Sequence, residues 1–520
     1  MKRYLLILGL LLGSSATLTS CEKFLDVNTD PNNPTTSTPN YLLPGIISQG
    51  IQAQMFTSLT TTYISQYTVR KSPASSTDQF TLSNGNSTNT FNYNYYYSGG
   101  NIPTMTAAAE QEGSPYYIGA GKIIQAMDLA HATDMLGDIP YTEAYQGAAN
   151  YTPKYDPQEQ IYQTIQTLCD EGIALMQTPA DKNFRPLYVT SPSISGDILF
   201  KGDVQKWIKF ANGLKARQLN HLIKKKGVYN PQQILALIDK SMTSSADDAQ
   251  LQYQLAVAPL TGTTNIFGTT RNNYATATFS SNIIKYLNGS VAGATYPGVS
   301  DPRLPIMATT TSTGADPGVT STGNVVNGFT DFYSSWYARD LGYFEVLTYH
   351  ELKFIEAEAA FNAGDKARAL RAYQEGIRAH MQKIGVGGTN ANPPVTFPVI
   401  SQAQIDAYLS SAAVAQTPAD LTIKRIMEQK YIAMFLNPES WSDLRRYDFD
   451  PTIYVNLKYP NNANATLAAK VDYKDRWPRR MLPGATEVLY NPQAVAKLFA
   501  EAGATSNDDY ITKPLWWDRP

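Results

Sequence analysis

Within the stretch FNYNYYYS, Tyr93, Tyr95, Tyr96 and Tyr97 crowd four aromatic rings around the amide of Asn94. An aromatic ring offers an apolar face, and a phenol adds a polar tip. Rings held as a platform with an amide at the edge therefore suit a flat, hydroxyl-rich ligand such as a sugar ring. A second cluster, Tyr333, Trp336 and Tyr337 in DFYSSWYARD, could do the same chemistry. For both clusters the competing role is packing against the body. The chain holds 34 tyrosines against 18 phenylalanines, an excess that serves wet interfaces and core positions with satisfied hydroxyls alike.

Residues that would break or make covalent bonds are harder to find. The four histidines, His131, His221, His350 and His380, form no H-E-x-x-H pair, and there is no G-x-S-x-G elbow, no C-x-x-C and no phosphate-binding P-loop. No EF-hand spacing occurs among the acidic residues. No catalytic residue, metal ligand or cofactor is assigned. A carboxylate pair for glycoside hydrolysis needs closeness in space and not in sequence, so a surface glycoside hydrolase stays as an alternative reading.

One thiol does invite chemistry. Lys2 and Arg3 precede an apolar run from Tyr4 to Leu12, followed by small and polar residues up to Leu18-Thr19-Ser20-Cys21. These are the zones of an export signal, too short to cross about 30 Å of hydrocarbon, which takes roughly 20 apolar residues. The final four residues look like a bacterial lipobox, in which Cys21 is acylated and becomes the new N-terminus. Residues 1–20 are thus read as a lipoprotein signal peptide. Two or three acyl chains would hold the protein firmly on a membrane surface without spanning it. The other cysteine, Cys169, sits in an apolar-patterned segment and reads as a small buried hydrophobe.

These residues need a frame. Residues 21–44, rich in Pro, Asn, Asp and Thr, read as a lipidated tether of turns and extended chain. From residue 45 to 520 helical patterns dominate. Ala120, Ile123, Ile124 and Met127 share one helix face, and similar stripes run through DPQEQIYQTIQTLCDEGIALM, GDVQKWIKFANGLKARQLNHLIKK, NPQQILALIDKSM, SSNIIKYLN and LTIKRIMEQKYIAMFL. In YHELKFIEAEAAFNAGDKARALRAYQEGIRAHMQKIG two helical patterns meet at Gly364-Asp365, with small residues Ala357, Ala369 and Gly376 where the helices would touch. This resembles a tetratricopeptide-type pair. Trp207, Phe210, Ala211 and Leu214 read as core, and Trp441, Asp443, Arg445 and Arg446 as an ion-paired helix end. Residues 70–102, 291–329 and 385–400 read as long irregular segments. The fold class expected is mainly α: one helical domain with tetratricopeptide-like pairs and long loops. With 520 residues, 43% of them apolar, the chain can bury a large core, and its net charge of −2 gives no long-range pull on nucleic acid.

The pieces occur in an order that resembles the SusD/RagB family of outer-membrane lipoproteins. The lipobox is followed by Phe24 to Asn32, Gly137-Asp138-Ile139-Pro140-Tyr141-Thr142-Glu143-Ala144, Trp207 to Arg217, Asp301-Pro302-Arg303-Leu304 and Glu351 to Gly364. Glu428 with YIAMFLNPESWSDLRRYD, Arg476 to Pro483 and Tyr490-Asn491 complete the set. The resemblance implies a non-catalytic nutrient-binding protein, lipid-anchored at the cell surface of the outer membrane. It would capture an oligosaccharide, or for some members a peptide, and deliver it to a SusC-like TonB-dependent transporter. A tetratricopeptide-like scaffold that holds a protein is a further alternative. Between Thr261 and Tyr343 no family binding residue maps onto this chain.

Overall fold

The computed structural model describes residues 37–71, 77–257, 262–290, 298–309, 313–318 and 331–520. The export signal, Cys21 and the tether as far as residue 36 lie outside the described residues. Ten helices build the frame: α1 (Pro39–Ile64), α2 (Gly85–Asn92), α3 (Pro115–Leu136), α4 (Gln158–Met176), α5 (Val204–His221), α6 (Pro231–Ile238), α7 (Tyr349–Asn362), α8 (Lys366–Ile384), α9 (Ile423–Ala433) and α10 (Glu439–Arg446). Further helices, among them Ile102–Glu112 and Pro492–Glu501, and short helical turns connect them. Among the described residues the strands form only two-stranded antiparallel ladders. β1 (Thr68–Arg70) pairs with β5 (Ala277–Phe279), β2 (Tyr188–Val189) with β3 (Ser195–Gly196), β4 (Ala249–Gln252) with β6 (Tyr343–Leu347), and β7 (Val386–Asn390) with β8 (Val395–Val399). The mainly α expectation holds. Among the described residues no helix is long and apolar enough to cross a membrane.

Local chemistry starts and stops these helices. Asp203 accepts hydrogen bonds from the Gln205 and Lys206 amides to open α5, and Thr348 accepts from Glu351 to open α7. Between α7 and α8, Gly364 takes φ +84°, a left-handed turn that side chains resist, and Asp365 then caps α8 through the Arg368 amide. A Cβ on Gly376 would lie 3.0 Å from the Phe354 ring, so the two antiparallel helices close on a missing side chain. The tetratricopeptide-like pair is present. α3 and α4 also pack closely on one another, with Cys169 fully buried and its thiol pushed up to about 12 by that burial.

The motifs read as structural are structural. Trp207, Phe210, Ala211 and Leu214 are all buried, and the Trp207 indole donates to Asp197 Oδ2 at 2.9 Å. Arg217 of α5 grips Glu351 of α7 through Nε and Nη2, both at 2.6 Å, and Arg446 of α10 reaches Glu358 at 2.9 Å. Lys430 of α9 pairs with Asp443 at 2.9 Å. The segment from Gly137 to Thr142 is a clasp. Asp156 accepts from the Tyr141 and Thr142 amides at 2.8 and 2.7 Å, and Asp138 accepts from the Gln158 amide at the start of α4.

Three expectations are corrected. Residues 39–44, read as the end of the tether, are the first turns of α1, where Pro39 at the helix start costs no hydrogen bond. Residues 70–102, read as irregular, become helical from Gly85 onward. The Asn and Thr content of α2 disfavours a helix in isolation, but packing against α1 and the helix Ala485–Tyr490 overrides that weak propensity. Residues 385–400 form the β7–β8 hairpin, despite their glycines and prolines.

Candidate functional site

The Tyr-rich stretch forms a π-helical turn, Tyr93–Ser98, continuing directly from α2. Such wide turns are rare and recur at functional sites. Here the turn sorts the side chains into two sets. Tyr96 is 75% exposed and Tyr97 44%, whereas Asn94 is buried and Tyr95 points inward. Tyr93 lies between: its ring centroid is 4.9 Å from Tyr97 and 5.0 Å from Phe56 of α1. Tyr96 meets Tyr97 edge to face at 5.1 Å. Phe56, Tyr93, Tyr97 and Tyr96 therefore run as a file of rings, with the Arg271 guanidinium 5.7 Å from the Phe56 centroid. Partial burial, helped by the neighbouring Tyr97, raises the Tyr93 phenol, so the hydroxyl stays protonated as a donor.

The turn is fixed from beneath. Tyr95 stacks on Phe91 at 4.5 Å and donates to the Pro140 carbonyl at 2.8 Å, so its ring is a wedge and not part of the platform. Burial raises the Asp128 carboxyl well above the usual range. The Ser98 hydroxyl sits between two acceptors, Asp128 Oδ2 at 2.5 Å and the Ile46 carbonyl at 3.1 Å. Gly99 closes the turn: a Cβ there would lie 2.5 Å from the Tyr145 hydroxyl and 2.7 Å from the Asn94 carbonyl oxygen.

Beside Phe56 opens a cavity of about 280 Å³, walled by α1, α2 and the segment before β5. Its polar lining includes the amide-bearing Asn86, Asn89 and Asn273, the guanidinium of Arg70, and Thr60 and Thr77. Arg70 lies 4.9 Å over the Tyr63 ring and donates to Thr276 Oγ1 at 2.7 Å. Asn86 is pinned by the Ser83 amide at 2.8 Å, and Asn273 by its donation to the Ile266 carbonyl at 2.9 Å. Among the described residues no carboxylate lines this cavity. The file of rings that ends at Phe56 and the amides of the cavity form a surface for stacking and for hydroxyl hydrogen bonds. They form no acid and base pair.

The second predicted cluster does not join the first as an exposed platform. Tyr333, Trp336 and Tyr337 are all buried. Arg339 covers the Trp336 ring at 3.2 Å, and the Tyr337 hydroxyl sits 2.9 Å from His380 Nε2. Core packing won because the rings find partners inside: Tyr337 meets Phe435 edge to face at 5.1 Å and Trp336 at 5.2 Å, and Tyr333 meets Phe332 at 6.3 Å. Tyr333 keeps an indirect part. Its hydroxyl accepts from the Tyr274 amide at 3.1 Å and donates to Asn272 Oδ1 at 3.0 Å, which holds the segment carrying Asn273. Phe56, Arg70, Asn86, Asn89 and Asn273 escaped the sequence reading because they come from four separate segments. The signal that could have found Phe56 is the stripe it shares along α1.

The described residues include one cluster whose atoms could hold a metal: Asp134, His221 and Glu439, with ligand atoms within 4.8 Å of one another. Both imidazole nitrogens are engaged, Nδ1 with Asp134 at 3.3 Å and Nε2 with Glu439. Burial opposes charge on His221, but the Glu439 and Asp134 carboxylates outweigh it and raise the imidazole to about 9. Glu439, facing His221, is held down at about 2. The cluster is an imidazolium clamp between two carboxylates.

A family model described as SusD-like, starch-binding and associating with the outer membrane, matches residues 31–474. A SusD/RagB family protein from Bacteroides thetaiotaomicron shares the fold with a TM-score of 0.68 and 23% identity, over 93% of this chain and 99% of that one. A SusD homolog from Bacteroides uniformis gives 0.69 and 21%, over 92% and 98%. A chitin-binding SusD homolog from Flavobacterium johnsoniae gives 0.65 and 18%, over 92% and 98%. Among curated proteins no relative matches the chain.

Proposed function

This chain belongs to the SusD-like family, described as starch-binding and associating with the outer membrane, and from that premise we propose that it is a non-catalytic, lipid-anchored surface protein that captures a glycan on its tyrosine platform. Captured oligosaccharide passes to a SusC-like TonB-dependent transporter. The observation that carries this reading is the file of rings Tyr96, Tyr97, Tyr93 and Phe56, which ends at Phe56 in the wall of an amide-lined cavity. Sugar rings present one apolar face to such rings and their hydroxyls to Asn86, Asn89 and Asn273. The carboxylate-free lining supports binding over hydrolysis, which requires two carboxyl groups flanking the scissile bond. The scaffold reading is weakened by the tetratricopeptide-like pair itself. The inner faces of α7 and α8 are filled by Phe354 and Tyr373, and both helices pack on α9.

Binding to an array of starch-type and chitin-type oligosaccharides tests the reading, together with affinity purification from solubilised outer membranes. Retention of a glycan and recovery of a β-barrel transporter are expected. Failure on both counts overturns it. The anchor has its own test: Cys21→Ser moves the protein from the outer-membrane fraction to a soluble one, and unchanged fractionation contradicts lipidation.

A further inference from the structure

Two cavities lie against a single helix. The outer stripe of α1, Ser48, Gln52, Met55, Phe56, Leu59 and Tyr63, falls at i, i+4, i+7, i+8, i+11 and i+15, the spacing of one helix face. Phe56, Leu59 and Tyr63 line the cavity of about 280 Å³ beside the tyrosine platform. Ser48, Gln52 and Met55 line a second, larger cavity of about 680 Å³, walled by the β2–β3 hairpin, β4 and Tyr343 of β6. At 1.5 Å per residue the stripe runs about 22 Å. Arg271 links the two walls: its guanidinium lies 5.7 Å from the Phe56 ring centroid and Nη1 donates to the Gly262 carbonyl at 3.0 Å. Gly262 itself lines the larger chamber.

We propose that the larger chamber is a second subsite continuous with the platform, and that it takes the continuation of a linear, uncharged oligosaccharide already held on the tyrosines. This rests on the glycan reading of the platform. The chemistry of the lining selects the ligand class. Its amides, Gln52, Gln250, Gln252 and Gln254, offer donors and acceptors for hydroxyls, and Tyr188 and Tyr343 offer ring faces or edges. Two of its three charged side chains are engaged within the protein, and the third, Lys201, is exposed. Asp248 binds Lys383 at 2.6 Å and the Tyr349 amide at 2.6 Å, and Lys206 donates to the Ala246 carbonyl at 2.6 Å. A volume of about 680 Å³ lies within the range of small-molecule sites and exceeds that of the platform cavity. One rigid helix as a common floor sets the two chambers in fixed register, so a chain spanning both gains contacts without a second ordering cost.

Isothermal titration of the full chain with maltose and maltooctaose, and with chitobiose and chitooctaose, separates the outcomes. For the series that binds, the octaose binds tighter than the disaccharide, by roughly fivefold or more if one further ring contact forms. Gln252→Ala, at an exposed position of β4, and Tyr188→Ala/Gln252→Ala erase that gain and leave disaccharide affinity unchanged. Thermal denaturation verifies that the variants remain folded. Equal affinity for long and short chains, or a gain that survives both variants, overturns the second subsite and leaves the platform reading intact. Absence of binding across both series overturns the glycan reading and this extension with it.

Discussion

At the scale of single residues, neighbouring tyrosines in one sequence run have opposite duties. Tyr96 and Tyr97 face solvent, so Tyr96→Ala and Tyr97→Ala are each expected to weaken glycan binding by about 1 kcal/mol, roughly fivefold, with little change in melting temperature. Tyr95 is wedged between Phe91 and Tyr145 with its hydroxyl on Pro140, so Tyr95→Ala is expected to cost about 3 kcal/mol of stability. Calorimetric titration and denaturant unfolding of the three variants separate the two effects. The composition of the run was legible in the sequence, because clustered rings and amides signal recognition. Which rings face out was not, because a π-turn shifts the periodicity that sequence patterns assume. The same limit applied to Trp336 and Tyr337: their spacing says nothing of the Arg339 and His380 side chains that cover them.

At the scale of elements, long amphipathic helices were readable and weakly patterned ones were not. α4, α5, α8 and α9 announce themselves by stripes, the last three also by side-chain caps, and Gly364-Asp365 marks the turn between α7 and α8. The helix α2 and its π-helical extension lack such signals, and their shape is imposed by what surrounds them. Gly99 is the tightest of these constraints. In Gly99→Ala the new methyl meets Tyr145 and the Asn94 carbonyl, so the turn must shift. We expect a loss of about 1–3 kcal/mol in stability together with weaker binding, since the platform moves with the turn. Unaltered affinity and unfolding midpoint would show that the turn does not position the rings. α1 was missed for a different reason: its first residues follow a Pro-rich and Thr-rich stretch, and polar residues such as Gln54, Thr57, Ser58, Thr60, Thr61 and Thr62 are buried among its apolar ones and blur the stripe.

At the scale of the whole molecule, buried ionisable groups set the pH range of stability. His131 is held down at about 4 and His350 at about 3, chiefly by burial, and His380 is lowered too. Because these folded values lie below the unfolded one, about 6.5, their contribution is intact above pH 6.5 and declines as pH falls toward 4 and 3. His221 has the opposite sign. Raised to about 9 between Glu439 and Asp134, it contributes fully below about pH 6.5 and loses that contribution as pH climbs through 9. Melting temperatures across pH should therefore form a plateau near neutrality with losses on both sides. His221→Gln should flatten the alkaline limb.

The claim on which everything else depends is that sugar rings lie on the tyrosine platform. A crystal of the full chain grown with maltooctaose or chitooctaose, whichever binds, tests it most directly. The account predicts a sugar ring against Tyr96 and Tyr97, hydroxyls turned toward Asn86, Asn89 and Asn273, and the chain continuing along α1 past Phe56. A well-ordered oligosaccharide seated elsewhere, with the platform empty, would contradict it.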